Sequence, residues 1–182
     1  MRQLPNIITI LRILLVIPIM ILLARQHYVL VLWLFVVAAL SDALDGYLAR
    51  RYHWQSWLGS VLDPLADKIM LVGSYLVLAW LGWLPWWLVL MVIGRDVVIL
   101  LGAGMYRWRC GSLQIAPTAI SKANTLLQML LGILVIVFAA GLFVPVVLLQ
   151  ALILVVALTT LWSGLGYVLE WSARARVCRQ RS

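Results

Sequence analysis

Residues 41–68 read SDALDGYLARRYHWQSWLGSVLDPLADK and carry four of the six acidic residues of the chain. Asp42 and Asp45 are three residues apart, and Asp63 and Asp67 are four residues apart. Residues at these spacings share one face of an α-helix. The segment 51–58 between the two pairs has about the length of a helix–helix turn. The stretch therefore predicts two antiparallel helices that direct four carboxylates toward one place.

Four carboxylates this close need a counter-charge, because they repel one another and cannot all stay ionised. A hard divalent cation with oxygen ligands supplies that charge most simply. The alternative is a polar helix pair that faces water, with each Asp paired to a surface Arg. Carboxylates beside membrane-length apolar runs are costly and usually functional, which favours the metal site.

The rest of the chain is strongly apolar. It has 182 residues, of which 65% are hydrophobic and 11% are charged, a composition that a soluble domain of this size could not bury. A span of the hydrocarbon core takes roughly 20 apolar residues, so six spans nearly use up the chain. We predict an all-α, polytopic membrane protein with one domain, residues 1–182. The six spans are placed at about residues 6–23, 29–50, 59–81, 86–106, 121–138 and 144–168.

The basic residues predict the orientation of these spans. The net charge is +8, and Arg or Lys residues lie at the N-terminus, in the second and fourth connections and in the tail from Trp171 to Ser182. The positive-inside rule then places both termini and the 51–58 turn in the cytoplasm. In a membrane protein such a charge indicates contact with anionic lipid headgroups. No basic run with interleaved aromatic residues suggests a nucleic-acid partner.

Further polar residues enter the apolar spans and are candidates for phosphate or acceptor binding. Arg12 could instead reach the headgroups, and Arg95 could form an internal pair with Asp96 that holds helices together. An intramembrane charge is nevertheless a functional candidate by default. N-terminal capping by Ser121 would explain only the start of the polar strip on the fifth span. The candidates are Thr9, Arg12, Arg95, Lys122, Asn124 and Gln128.

The 41–68 stretch follows the pattern D-x2-D-G-x2-A-R-x8-G-x3-D-x3-D. This pattern resembles the signature of the CDP-alcohol phosphatidyltransferases at all eight fixed positions, and the resemblance extends over nearly the whole chain. It implies transfer of the phosphatidyl group of CDP-diacylglycerol to an alcohol, with release of CMP. It also implies two Mg²⁺ or Mn²⁺ ions, a homodimer, and a bacterial inner-membrane location with the active site at the cytoplasmic face.

The resemblance also implies roles for single positions. Asp42, Asp45 and Asp63 resemble the metal ligands of the family, and Asp67 resembles a ligand that is also the general base. The nucleotide-facing positions would be Gly46, Ala49, Arg50 and Gly59.

The acceptor alcohol is less closely defined. The runs Gly94-Arg95-Asp96 and Lys122-x-Asn124-Thr125-x2-Gln128 most resemble the CMP-forming cardiolipin synthases, whose acceptor is phosphatidylglycerol. Phosphatidylglycerophosphate synthases, which use glycerol 3-phosphate, usually show Arg-Glu and Lys-x-Lys-Thr in these places. A phosphomonoester carries about two charges and a phosphodiester one, so the absence of a second Lys favours phosphatidylglycerol. Glycerol 3-phosphate is the alternative.

Two hypotheses come from other classes of protein. A divalent-cation transporter would need carboxylates near the middle of the bilayer and repeated or discontinuous helices, and the sequence shows no internal repeat. A lipid-binding scaffold without catalysis would not need all four Asp residues. Replacement of Asp67 by Asn separates these hypotheses, because an enzyme would lose turnover and a scaffold would not change.

Overall fold

The computed structural model describes the backbone of residues 4–51, 57–110 and 119–179, and the side chains of residues 14–40, 66–102, 104 and 120–167. These residues form helices and short turns and contain no β-strand, which confirms the all-α prediction. The helices are α1 (Leu4–Ala24), α2 (Tyr28–Arg51), α3 (Trp57–Trp80), α4 (Trp86–Cys110), α5 (Ala119–Ala139) and α6 (Val146–Arg179).

Each predicted apolar run corresponds to one helix, and most helix ends fall within about four residues of the predicted ends. The exception is α6, which continues to Arg179 through most of the segment that we predicted to be a tail. Residues 168–179 contain neither Gly nor Pro, and Glu170 precedes Arg174 by four residues. Both features favour a continuous helix.

Two of the helices have the length and apolar composition needed to cross a membrane. Within the side chains described, these stretches are Ile120–Ala139 of α5 and Val146–Tyr167 of α6. Shorter apolar stretches, Leu14–Ala24 and Tyr28–Leu40, lie in α1 and α2. Six spans with both termini on one side remain a prediction.

The chain divides into two compact units. The first unit contains Met1–Leu84 and Gly132–Val144, and in it α1 packs against both α2 and α3. The contact between α1 and α3 is close at Gly73, where a β-carbon would lie 2.9 Å from Sδ of Met20. The two halves of the 41–68 stretch lie on α2 and α3. Since α1 packs against both helices, it is the shared packing partner of the two halves.

The second unit contains Pro85–Leu131 and Pro145–Ser182, and in it α4 packs against α6. Its apolar core includes Leu88 and Val92 of α4 and Val156 of α6, all with at most 1% of their surface exposed. The N-terminal part of α5 belongs to this unit, and the C-terminal part belongs to the first.

The turns after α1, α3 and α5 share one hydrogen-bonding pattern. In each, a residue with positive φ follows the helix, and the next backbone N–H donates to the carbonyl five residues earlier, which is a Schellman motif. These bonds join His27 to Leu22 (2.9 Å), Trp83 to Leu78 (2.9 Å) and Leu142 to Val137 (3.2 Å). The residues with positive φ are Gln26 (61°), Gly82 (82°) and Gly141 (80°). The motif satisfies helix-end carbonyls within the turn itself.

An aromatic cluster joins three of these helix ends in the first unit. The indole Nε1–H of Trp83 donates to the hydroxyl of Tyr28 at 2.9 Å. The Trp83 ring also meets the rings of Tyr28 and Phe138 edge-on, with centroids 6.3 and 5.9 Å apart. The start of α2, the turn after α3 and the end of α5 therefore lie at the same end of this unit.

Candidate active site

The signature residues lie on the two helices that the sequence predicts for them. Asp42 and Asp45 are within α2, and Asp63 and Asp67 are within α3. The backbone is helical at both Asp pairs. The prediction that the two residues of each pair share a helix face assumed such a backbone. The connection between these helices spans residues 52–56, which lie outside the described residues.

Of the four predicted metal ligands, only Asp67 has a described side chain. It is half-buried on α3, between the buried Ala66 and the half-buried Lys68. Within the described side chains, no three His, Cys, Asp or Glu residues form a group that could hold a metal ion. The side chains of Asp42, Asp45 and Asp63 are not among them, and their convergence with Asp67 stays a prediction.

The predicted nucleotide-facing positions also lie on α2 and α3, and Thr9 and Arg12 lie on α1. Their side chains are outside the described ones, so their roles remain predictions. The nucleotide-facing positions are Gly46, Ala49, Arg50 and Gly59.

The second unit contains a buried polar cluster that connects α4, α5 and α6. An apolar chain buries such groups only when they bond one another, because each unpaired polar atom costs free energy. The members of the buried polar cluster are Arg95, Asp96, Ser121, Asn124, Gln128, Thr160 and Ser163, each at most 8% exposed.

Arg95 lies at one end of this cluster and bonds to all three helices. Its Nη1 donates to Oδ1 of Asp96 at 2.9 Å, which forms a salt bridge. Its Nη2 donates to the hydroxyls of Ser121 and, at 2.7 Å, of Ser163, and its Nε also donates to Ser163 at 3.3 Å. The guanidinium carbon lies 5.8 Å from the centre of the Tyr167 ring. Gly164 leaves room for this side chain, since a β-carbon there would lie 3.6 Å from Cγ of Arg95.

These contacts confirm the predicted internal pair of Arg95 and Asp96. A guanidinium has five N–H donors, and four of them are used within the protein. One Nη1–H is left without a partner among the described residues. A phosphate contact by Arg95 stays a prediction and would have to use this remaining donor.

At the other end of the cluster, two amides of α5 meet two hydroxyls of α6. Oδ1 of Asn124 accepts from Thr159 at 2.8 Å and from Thr160 at 3.0 Å. Nε2 of Gln128 donates to Thr160 at 3.3 Å. Asn124 and Gln128 are fully buried, whereas Lys122, which was also predicted to belong to the polar strip of α5, is exposed.

The α6 side of this cluster was not among the residues predicted from the sequence. Thr160 and Ser163 are three residues apart in an otherwise apolar stretch, and this spacing puts them on one helix face. Hydroxyl residues in membrane helices often bond across helix interfaces. The three-residue spacing of Thr160 and Ser163 could therefore have indicated a polar face on α6.

A family model described as CDP-alcohol phosphatidyltransferase matches residues 2–163. The chain belongs to the CDP-alcohol phosphatidyltransferase family. The matched region contains the complete signature on α2 and α3 and ends at Ser163, the last member of the buried polar cluster. The extension of α6 from Gly164 to Arg179 lies beyond the matched region. The enzyme class that the sequence predicted is the class that this family describes.

Curated relatives fall into two groups by name. The chain is 33% identical to human "Cardiolipin synthase (CMP-forming)" over 90% of its own length and 60% of that protein. It is 35% identical to "CDP-diacylglycerol--glycerol-3-phosphate 3-phosphatidyltransferase" of Pseudomonas fluorescens, over 91% of its own length and 88% of that protein. The protein of the latter name from Shigella flexneri is 32% identical over 91% and 93%. The chain thus spans less than two thirds of the human relative.

Proposed function

We propose that this protein transfers the phosphatidyl group of CDP-diacylglycerol to an alcohol and releases CMP, with phosphatidylglycerol as the acceptor. The observation that carries the proposal is the complete eight-position signature, which lies on two helices that share α1 as a packing partner. Relatives named as CMP-forming cardiolipin synthases support this acceptor. Relatives named for glycerol 3-phosphate support the alternative acceptor.

The donor set suits Mg²⁺ or Mn²⁺, because carboxylate oxygens are the ligands that hard divalent cations prefer. Asp42, Asp45, Asp63 and Asp67 would hold such ions, two in number. When bound, these ions would neutralise the diphosphate of CDP-diacylglycerol and the departing CMP.

The protein's own residues would carry the proton and orient the substrates. Asp67 would accept the proton of the acceptor hydroxyl as that oxygen bonds to the phosphatidyl phosphorus. The bond from this phosphorus to the CMP oxygen then breaks, and CMP leaves with the electron pair. Arg50 and the small residues Gly46, Ala49 and Gly59 would face the nucleotide.

The charge of the buried polar cluster supports phosphatidylglycerol as the acceptor. Its one cation, Arg95, is paired with its one anion, Asp96, so the cluster is neutral overall. Because the cluster has no net positive charge, each negative charge on a ligand would be buried there without a full counter-charge, and a phosphomonoester carries one more than a phosphodiester. Asn124, at the other end of the cluster from Arg95, is buried and uncharged. A phosphodiester headgroup therefore fits the cluster better than a phosphomonoester. Thr9, Arg12 and Lys122 stay predicted candidates for phosphate binding.

We also propose six membrane spans, both termini in the cytoplasm, and a homodimer in a bacterial inner membrane. The positions of the basic residues support the orientation. The aromatic cluster supports alternating spans, because it groups the turns after α1 and α3 with the end of α5. Single cysteines introduced at Gly82 and at Arg174, in a chain with Cys110 and Cys178 replaced by Ser, should react from opposite sides of a sealed vesicle.

The test of the activity is CMP release by the purified protein in detergent, with CDP-diacylglycerol and Mg²⁺. Phosphatidylglycerol and glycerol 3-phosphate are offered separately. Release with phosphatidylglycerol alone, together with cardiolipin formation, supports the proposal. Release with glycerol 3-phosphate alone replaces the acceptor by the alternative.

A variant pair separates an enzyme from the other classes. Asp67→Asn should abolish CMP release, and Glu170→Gln, which also neutralises an acid but lies outside the signature, should not. If Asp67→Asn kept its activity, Asp67 would not be the base. Cation flux into vesicles without any CMP release would favour a transporter.

A further inference from the structure

The buried amide of Asn124 presents a hydrogen-bond donor that the described residues do not use. Asn124 is 0% exposed, and its Oδ1 is held by Thr159 and Thr160. Its Nδ2 is also buried and has no hydrogen-bond partner among the described residues. A buried amide donor without a partner is costly. The donor is therefore available for an oxygen atom of a ligand.

Thr160 determines which way this amide points. Its hydroxyl accepts from Nε2 of Gln128, so its single hydrogen is free to be donated to Oδ1 of Asn124. This directional chain keeps the Asn124 oxygen toward α6 and Nδ2 turned away from Thr160.

Thr159 also donates to Oδ1 of Asn124, but its hydroxyl has other acceptors within reach. Its hydroxyl also lies 2.9 Å from the carbonyl oxygen of Val155 and 3.1 Å from that of Val156. One hydrogen cannot serve three acceptors at once. Thr160, which is only 1% exposed, is therefore the fixed partner of Asn124.

We propose that Thr160 is a positioning residue that orients Asn124 so that Nδ2 donates to a headgroup oxygen of the acceptor alcohol. The inference rests on the proposed function and adds α6 to the residues that select the acceptor. An uncharged donor suits a hydroxyl or a singly charged phosphodiester oxygen, in line with the neutrality of the buried polar cluster.

The test measures, in variants of Thr160, the KM for CDP-diacylglycerol and the KM for the acceptor alcohol. The acceptor is whichever of phosphatidylglycerol and glycerol 3-phosphate the wild-type protein uses. Thr160→Val keeps the shape and removes the hydroxyl. We expect it to raise the acceptor KM roughly tenfold, the effect of one lost hydrogen bond, while the KM for CDP-diacylglycerol is unchanged. Thr160→Ser should restore the acceptor KM. The control is Ser74→Ala, which removes a buried hydroxyl that bonds only to the backbone of its own helix at 2.7 Å, among the described contacts.

A double-mutant cycle shows whether Thr160 acts through Asn124. In an Asn124→Ala background, Thr160→Val should have no further effect on the acceptor KM, because the amide that it orients is gone. Thr160→Ala, which introduces no new methyl group beside Gln128, gives the same comparison if Thr160→Val does not fold.

Two results would overturn the inference. In one, wild-type turnover is normal, but the Thr160 variants shift both KM values equally or shift neither. In the other, the Thr160 and Asn124 effects simply add. Absence of CMP release by the wild-type protein with either alcohol would overturn the proposed function, and this inference with it.

Discussion

Replacement of Arg95 by Met should strongly destabilise the protein. The side chain is 8% exposed, and it supplies the counter-charge of Asp96 at 2.9 Å as well as hydrogen bonds to Ser121 and Ser163. Met fills a similar volume without charge. The variant therefore keeps the packing near Gly164 and leaves the Asp96 carboxylate buried without the guanidinium.

The size of the effect follows from the burial of the pair. Removal of one partner of a buried ion pair costs about 3–5 kcal/mol in unfolding free energy. For a chain of 182 residues, each kcal/mol lowers Tm by about 2–4 °C. The expected fall in Tm is therefore roughly 6–20 °C. The double variant Arg95→Met/Asp96→Asn should recover most of the loss, because it removes the carboxylate charge together with the guanidinium.

The assay is thermal unfolding of the purified protein in one detergent, followed by the fluorescence of its tryptophans. Arg25→Met is the matched control, since it makes the same change at an exposed position and should shift Tm by no more than about 2 °C. If Arg95→Met melted together with Arg25→Met, the bonds of Arg95 would contribute nothing to stability. If the double variant were as unstable as the single one, the charge of the Asp96 carboxylate would not be the cause.

Four further predictions concern two of the turns, the aromatic cluster and the proposed metal. Gly141 has φ of 80° and open space where a β-carbon would lie, so Gly141→Ala should cost about 1–2 kcal/mol through backbone strain alone; equal stability by thermal unfolding would contradict this. Gln26→Gly should stabilise the turn after α1 by up to about 1 kcal/mol, since Gln26 holds φ of 61° with a side chain; a lower Tm would count against it. Trp83→Phe keeps an aromatic ring but loses the bond to Tyr28, at a cost of about 1 kcal/mol, and Tyr28→Phe in the same background should then add little. Removal of Mg²⁺ by a chelator should stop CMP release and its return should restore it, whereas release that persists at chelator excess would argue against a metal requirement.

The helices could be predicted from the sequence because apolar runs and polar interruptions mark them directly. Runs such as Val29–Leu40 are too long and too apolar for a turn, and the short segments between runs gave the ends of most helices within a few residues. The predicted sixth span ends near residue 168, where the apolar character is lost, whereas α6 itself continues to Arg179. Helix propensity does not depend on apolarity, and α6 continues through its arginines.

In the candidate site, patterns within one helix could likewise be predicted, and contacts between helices could not. Local spacing identified the Asp pairs and the polar strip of α5, because each is a pattern within one helix. The partners of that strip on α6 are separated from it by more than thirty residues, as Thr160 is from Asn124. Periodicity could indicate which face of α6 is polar but not which helix covers it. Arg95 uses most of its hydrogen-bond donors in contacts on three helices. Those contacts could not be predicted from the spacing of residues within one helix either.

The three closed turns bear on how the chain enters a membrane. Backbone groups that pass through lipid without partners are costly, and the turns after α1, α3 and α5 satisfy theirs through bonds of their own. In the proposed topology these turns are the segments carried across the bilayer, and residues 81–85 and 140–145 contain no charge. Consecutive helices can then be inserted two at a time, each pair with its turn already folded. Biogenesis of the protein would thus require the translocation of only three short, nearly uncharged loops.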